Sequence, residues 1–232
     1  MPFEDQTDIP VFDTGENTFS MGTMFRENRF TGPDRIGDAN QLTVALTSRF
    51  LDESSGEELL RGTLGQIYYF ADRKVSLSTD PTAPQTFNRS DFVGELYTRL
   101  ANKFYMYNFF QYDSDESQVA VFNTDLRYTK DARRAVKIGY YYNNFDSNNP
   151  PSEQVNADVI WALAPRWQAA ANARYDIEQG DFLRGGFDIG YSACCWGIKL
   201  GAQRRIDNNS EYVNSFLVTF ELNGLTKISS NF

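Results

Sequence analysis

From Gln41 onward, apolar and polar positions alternate in segments of about ten residues, each broken by Gly, Asn, Asp or Pro. Eleven such segments are legible: 41–51, 58–70, 91–100, 104–113, 118–128, 135–144, 154–163, 167–177, 183–192, 195–206 and 212–222. A period of two with this punctuation predicts antiparallel β-strands. Residues 1–40 lack the rhythm. They read as an extracellular loop region with room for short strands at Pro10-Val11-Phe12 and 19–25, and with an ordered loop over 27–40. Residues 41–225 read as barrel strands and 226–232 as a tail.

The alternation assigns faces. Val155, Ala157, Val159, Trp161 and Leu163 share one side of their segment, with Asn156 and Asp158 on the other. Trp167, Ala169, Ala171, Ala173 and Tyr175 oppose Gln168, Asn172, Arg174 and Asp176. Leu183, Phe187, Ile189 and Tyr191 oppose Arg184 and Asp188, and Trp196, Ile198, Leu200 and Ala202 oppose Lys199, Gln203 and Arg205. Charges in mid-strand keep to one face. Strands of a soluble sandwich are usually about five or six residues long and show their polar face to bulk water. Ten-residue strands with an aromatic-capped apolar face fit a transmembrane β-barrel with a wet interior. The expected fold class is therefore all-β, an antiparallel transmembrane barrel with eleven or twelve strands in this chain.

The connections sharpen that picture. Ala101-Asn102-Lys103 and Ala164-Pro165-Arg166 are tight turns, whereas 71–90 and 145–153 are longer links. Outer-membrane barrels have short periplasmic turns and longer outer loops. With a periplasmic C-terminus, 207–211, 145–153 and 71–90 fall outside, and the turns at 101–103, 164–166 and 193–195 fall in the periplasm. Trp161, Trp167 and Trp196 then flank periplasmic turns, where an interfacial aromatic belt belongs. Bacterial single-chain barrels have even strand numbers. Eleven segments therefore leave two expectations: a strand hidden in residues 1–40, or the last part of a larger barrel. An edge at 41–51 would be joined to further strands, meet a second copy, or close against 212–222.

Composition removes alternatives. Mean hydropathy is −0.50, and no apolar run approaches the ~18 residues of a spanning helix. The net charge of −9 argues against nucleic acid, whose phosphates demand a Lys/Arg excess. There is no histidine among the 232 residues, which removes Ser-His triads and most zinc sites. No metal or cofactor is expected. Met1-Pro2-Phe3-Glu4-Asp5 lacks a basic start and an apolar core, so a secretory leader is not read there, and the chain is expected to be either cytoplasmic or an excised piece of a longer protein.

Cys194 and Cys195, the only cysteines, sit side by side. Adjacent Cα atoms lie about 3.8 Å apart, short of the roughly 4.4–6.8 Å usual for a disulfide. They are poor partners for each other. Two readings stay open at this point: two thiols, or two sulfurs whose mates lie outside this sequence.

Several stretches resemble one family. They are Pro10-Val11-Phe12-Asp13-Thr14-Gly15, Glu27-Asn28-Arg29-Phe30, Asp34-Arg35-Ile36-Gly37-Asp38-Ala39-Asn40-Gln41, Thr47-Ser48-Arg49-Phe50 and Gly65-Gln66-Ile67-Tyr68-Tyr69-Phe70. Towards the end come Arg166-Trp167, Tyr191-Ser192-Ala193-Cys194-Cys195-Trp196 and Phe220-Glu221-Leu222-Asn223-Gly224-Leu225. Together, over roughly residues 8–225, they resemble the C-terminal part of LptD, the LPS-assembly protein of the Gram-negative outer membrane. The resemblance implies a piece of a barrel at the ~26-strand end of the known range, which inserts lipopolysaccharide into the outer leaflet through a lateral opening between first and last strands. It implies the lipoprotein LptE as a plug, an N-terminal jelly-roll domain and further barrel strands in the parent protein, the barrel-insertion machinery during assembly, and lipid around the apolar face. It also implies that Cys194 and Cys195 pair with two cysteines of the N-terminal region. Segment 212–222, with Tyr212, Asn214, Phe216, Val218, Phe220 and Leu222 on one face, matches the last strand and one lip of the gate. The alternatives are an autonomous twelve-strand porin or channel and, more remotely, a soluble β-rich binding module.

The mid-strand charges (Arg49, Arg61, Glu95, Arg99, Asp125, Arg127, Asp158, Arg174, Asp176, Arg184, Asp188 and Lys199) read as cross-strand ion pairs in a wet interior. A second role for some is contact with LptE or a lipid head group. No two carboxylates form an acid–base pair by spacing, so no enzyme is expected. Asp113, Asp115 and Glu116 read as a solvated acidic loop, since they lack EF-hand spacing. Asn88-Arg89-Ser90 and Asn208-Asn209-Ser210 match a sequon only formally.

Overall fold

The computed structural model describes residues 1–77, 86–144, 150–207, 210–222 and 226–231, the last group by its backbone alone. Parts of the expected outer links (78–85, 145–149 and 208–209), with them the sequon at Asn208, as well as Asn223-Gly224-Leu225 and Phe232, lie outside the described residues. The strands are β1 (Gln41–Leu51), β2 (Glu58–Tyr69), β3 (Phe92–Ala101), β4 (Phe104–Asp113), β5 (Gln118–Asp131), β6 (Arg134–Asn143), β7 (Ser152–Ala164), β8 (Trp167–Asp176), β9 (Asp181–Ser192), β10 (Trp196–Ile206), β11 (Tyr212–Leu222) and β12 (Thr226–Asn231). They follow one another in chain order in one sheet. Through β11 the bounds lie within three residues of the expected segments.

Two expectations need correction. Residues 1–40 contain no strand, only an isolated bridge between Glu16 and Phe30. The region expected as a tail instead forms β12, whose backbone pairs with β11 from Leu217↔Asn231 to Leu222↔Thr226. β11 therefore has β10 on one side and, over Leu217–Leu222, β12 on the other, so the expected closure of 41–51 against 212–222 finds that half of the edge already paired.

One compact unit comprises Met1–Leu96 and Phe109–Ala120. Here β1 and β2 pair from Gln41↔Tyr69 to Leu51↔Glu58, with a bulge after Phe50. Leu42, Val44, Leu46 and Phe50 stand exposed on one face. On the other face, Met24 of the N-terminal segment sits over Thr43 and Gly65, beside the buried Ile67. The Thr43 hydroxyl donates to the Met24 carbonyl at 3.2 Å, and Met24 is fully buried over Gly65. Any side chain at Gly65 would collide with the Met24 thioether. Among the described residues, Met24, Phe30, Ile67, Val75, Val93 and Ala120 are the buried apolar side chains of this unit's small core.

Polar cross-links hold the N-terminal segment in place. Asn28 Oδ1 accepts the amides of Phe30 and Gly37, and its Nδ2 donates to the Arg35 carbonyl. Asp34 Oδ2 accepts the Phe12 amide and the Thr14 hydroxyl. Asp38 accepts the amides of Lys74 and Val75 at 2.8 and 3.1 Å and pairs with Arg29 at 3.1 Å. Arg29 also donates to the carbonyls of Asp38 and Val75. Burial of Asp38 raises its pKa, but the two amides and the guanidinium outweigh it, so the carboxyl lies below its ordinary 3.8. That contribution is present above the ordinary carboxylate range and is lost as pH falls through the depressed folded value. Asp38→Asn is expected to cost this attachment roughly 1–2 kcal/mol. Faster hydrogen exchange at the Lys74 and Val75 amides, together with loss of their acid sensitivity, would register it; unchanged exchange would contradict the clamp.

The second unit comprises Tyr97–Asn108 and Val121–Phe232. Its register runs without interruption from β5 to β12 except for bulges after Thr129, Ala162 and Arg174. Residues in register share a face. One face carries Leu126, Ile138, Val159, Ala171, Phe187, Leu200 and Phe216; the other carries Asp125, Lys137, Asp158, Asn172, Asp188, Lys199 and Thr219. The apolar face is open: Phe216 is 61%, Leu163 59%, Phe187 52% and Leu200 49% exposed. Leaving each such side chain in water forgoes about 1.5–3 kcal/mol, and a continuous apolar surface of this kind calls for a membrane or a partner. A soluble sandwich, which buries its apolar face against a second sheet, does not fit.

The acidic excess is used at strand ends. Asp113, Asp131, Asp176 and Asp207 each accept an amide of the turn that follows. Asp52 does the same, and the hydroxyl of Ser54 and then the amide and hydroxyl of Ser55 lower its carboxyl to about 2. These are Asx-type turns, in which the side chain mimics a backbone acceptor.

Candidate functional site

The Ala193-Cys194-Cys195 turn joins β9 to β10 and is closed by the Ala193 amide donating to the Trp196 carbonyl at 2.8 Å. Both cysteine side chains are exposed. Their sulfurs stand 2.9 Å apart, well beyond the ~2.05 Å of a bonded pair. The contact with Cys194 raises the Cys195 thiol above its ordinary value.

An aromatic row borders this turn on the apolar face. Ring centroids run Trp167–Tyr191 at 5.1 Å, Tyr191–Trp196 at 5.5 Å and Trp196–Phe220 at 6.3 Å, crossing β8 to β11. Arg166 donates to the Tyr191 hydroxyl at 3.2 Å, and Arg133 to the Pro165 carbonyl at 2.7 Å, which tie neighbouring turns together. Trp161 lies at the same end of β7, with the Lys130 ammonium 5.9 Å from its ring, and Phe104 meets Tyr128 in a tilted contact at 4.8 Å. All three tryptophans thus share the short-turn end. Phe122 with Tyr140 at 6.3 Å, and Tyr212 under the Arg204 guanidinium at 4.8 Å, form a second aromatic border at the long-link end.

On the polar face many expected charges meet across strands. Lys137 lies 3.4 Å from Asp125, which also accepts the Tyr141 hydroxyl at 2.8 Å. Lys199 lies 3.9 Å from Asp188, and in the first unit Glu58 is shared by Arg49 and Arg61 at 3.5 and 3.6 Å. Asp158 accepts from Asn156 at 3.2 Å, and Arg99 reaches over the Tyr105 ring at 5.9 Å. Gly139 is the space that admits the first cluster: a side chain there would collide with Asn156 and Asp125. Among the described residues no group of three candidate ligands has metal-binding geometry, and Asp113 is engaged in its own turn. Ser90 of the first sequon lies just before β3 and is tied to β2, its hydroxyl accepting the Ile67 amide at 2.9 Å and donating to the Asp91 carbonyl.

Of the six expected residues of the last strand, Tyr212, Asn214, Phe216, Val218, Phe220 and Leu222 share the apolar face of β11 with Trp196, Ile198, Leu200 and Ala202 of β10. β12 covers the far edge of β11 only over Leu217–Leu222. Among the described residues, Tyr212 to Phe216 have no strand partner on that side. Residue identity alone did not signal the Arg29–Asp38 clamp. Its members lay in motifs noted for their resemblance, but pairing with 74–75 is a long-range contact.

Comparison with known proteins gives one answer. The model of the family described as LptD, LPS transport system D, matches residues 1–167. The LPS-assembly protein LptD of Thiobacillus denitrificans is 34% identical over 230 residues, covering 99% of this chain and 31% of that protein. Proteins of the same name from Nitrosococcus oceani and Nitrosospira multiformis are 35% and 34% identical over 233 and 232 residues, covering all of this chain and 30% and 24% of their own lengths. The chain thus spans about a third or less of the relatives it matches. With the matching stretch running through the N-terminal segment and the strands as far as Trp167, and relatives of one name aligning end to end with the sheet, this chain belongs to the LptD family.

Proposed function

We propose that this chain supplies the C-terminal strands of an outer-membrane barrel that inserts lipopolysaccharide into the outer leaflet of a Gram-negative cell. The observation that carries the reading is the alignment of 99–100% of the chain with proteins named for LPS assembly. The sheet supports the membrane part: an open apolar face bordered by aromatics at both ends backs onto a charged one, as in a barrel with lipid outside and a wet lumen. On this reading the short-turn end faces the periplasm, and Trp161, Trp167 and Trp196 lie in the inner interfacial belt. Cys194 and Cys195 then stand in an oxidising compartment, where each bonds a cysteine of the parent protein's N-terminal region. β11, with its open half at Tyr212 to Phe216, lies on the C-terminal side of the lateral opening. The jelly-roll domain, the remaining strands and the LptE plug complete the translocon, and the barrel-insertion machinery installs it. The chain works by transport rather than by bond-making chemistry.

Depletion of the parent protein in its host tests this. Newly made lipopolysaccharide is expected to disappear from the cell surface while uptake of small hydrophilic solutes stays unchanged. Reduced solute uptake with normal surface lipopolysaccharide would instead establish the twelve-strand porin.

A further inference from the structure

Near the long-link end of the polar face, three arginines stand side by side. Arg174 of β8 is in register with Arg184 of β9, and Arg184 with Arg205 of β10. Directly opposed like charges on adjacent strands, about 4.8 Å apart, destabilise a sheet. Elsewhere on this face Lys137 meets Asp125 and Lys199 meets Asp188. Among the described residues none of the three arginines forms an ion pair. The nearest carboxylate along β8, Asp176, is buried and holds the Gln179 amide.

A polar cavity of about 210 Å³ opens beside the row, lined by Lys137, Asn156, Asp158, Asn172, Arg174 and Arg184, among others. Two of its lining groups are buried without a hydrogen-bond partner: Arg174 Nε, a donor, and Asn156 Oδ1, an acceptor. Buried polar atoms left in this way mark a place for an outside partner. One row further in, Asn172 is in register with Gly186, and Gly186 with Gln203. The glycine carries no side chain between the two amides, and the Asn172 amide reaches over it.

We propose that Arg174, Arg184 and Arg205, with Asn156 and Asn172, bind a phosphorylated saccharide. Guanidinium forks match the oxygens of a phosphate, and three of them suit a dianion better than the single charge of a carboxylate. The orphaned acceptor Asn156 Oδ1 needs a donor, which a phosphate lacks and a sugar hydroxyl provides. The cavity equals about seven water volumes, room for a phosphate and part of a ring. The site deepens the functional reading above and rests on it for the identity of the natural ligand; the binding chemistry does not depend on it.

Calorimetric titration of the full-length parent protein in uncharged detergent tests the site, with glucose 1-phosphate, inorganic phosphate, glucose and acetate as probes. Glucose 1-phosphate is expected to bind more tightly than inorganic phosphate, and both at least about tenfold more tightly than acetate. Arg184→Gln is expected to weaken glucose 1-phosphate by about tenfold or more, and the charge-matched Lys199→Gln by less than about twofold. Because it relieves like-charge contact, Arg184→Gln should melt no lower than the unaltered protein. Equal affinities in the unaltered and Arg184→Gln proteins would overturn the proposal. Acetate binding as tightly as phosphate would assign the row to carboxylates of a protein partner, and equal binding of the two phosphates would remove the saccharide contact. A parent that delivers lipopolysaccharide to the surface yet binds no glucose 1-phosphate refutes this site and leaves the functional reading intact; the reverse pattern refutes only the function.

Discussion

Leu200→Arg is expected to destabilise the parent barrel in a bilayer by about 2–4 kcal/mol, the cost of a cation at the midplane of a lipid-facing strand. Leu200 is in register with Ile189 on one side and Val218 on the other, on the open apolar face. Trp196 lies four residues towards one aromatic border and Arg204, stacked on Tyr212, four residues towards the other. At about 3.4 Å per residue, that puts roughly 14 Å of strand on each side. Ile198→Arg, two residues nearer the tryptophan row, should cost less, about 1 kcal/mol, because its guanidinium can reach the interface. Lys199, between them, points to the polar face and is exposed in its pair with Asp188. Lys199→Leu should therefore cost under about 1 kcal/mol. Urea unfolding from lipid vesicles would rank the three. Equal losses at 198, 199 and 200 would remove the face assignment.

Replacing Cys194 and Cys195 together with serine is expected to abolish the covalently cross-linked form of the parent protein and, with it, mature lipopolysaccharide delivery. Either single serine variant should keep one cross-link. The turn is held by the Ala193–Trp196 hydrogen bond rather than by the sulfurs, so β9 and β10 should pair as before. Each lost bond would release a loop of a hundred residues or more, worth on the order of 4–5 kcal/mol in the chain-entropy account. Mobility on non-reducing gels reads the outcome. A double variant that migrates like the unaltered protein would show that these cysteines bear no long-range bond.

The strands were legible because a sheet with one apolar and one polar face must alternate at every step. β7 to β10 repeat apolar and polar positions with few exceptions, and their bounds could be read to within three residues. β12 was missed because Thr226-Lys227-Ile228-Ser229-Ser230 is short and only weakly apolar. Residues 1–40 were opaque for another reason. Their order comes from Asn28, Arg29, Asp34 and Asp38 binding distant backbone, which leaves no period in the sequence. The arginine row was half visible: Arg174, Arg184 and Arg205 each fell on the polar face, but only the register, with its bulge after Arg174, sets them shoulder to shoulder. The adjacent cysteines posed a question about partners that the chain itself does not contain.

Mapping of the disulfide-linked peptides in the full-length parent protein, isolated from membranes with and without reductant, tests the central claim most directly. Cys194 and Cys195 each bonded to a cysteine far upstream is the predicted result, and it would join this sheet to the rest of a translocon. Two unbonded thiols at Cys194 and Cys195 in the mature membrane protein would contradict it.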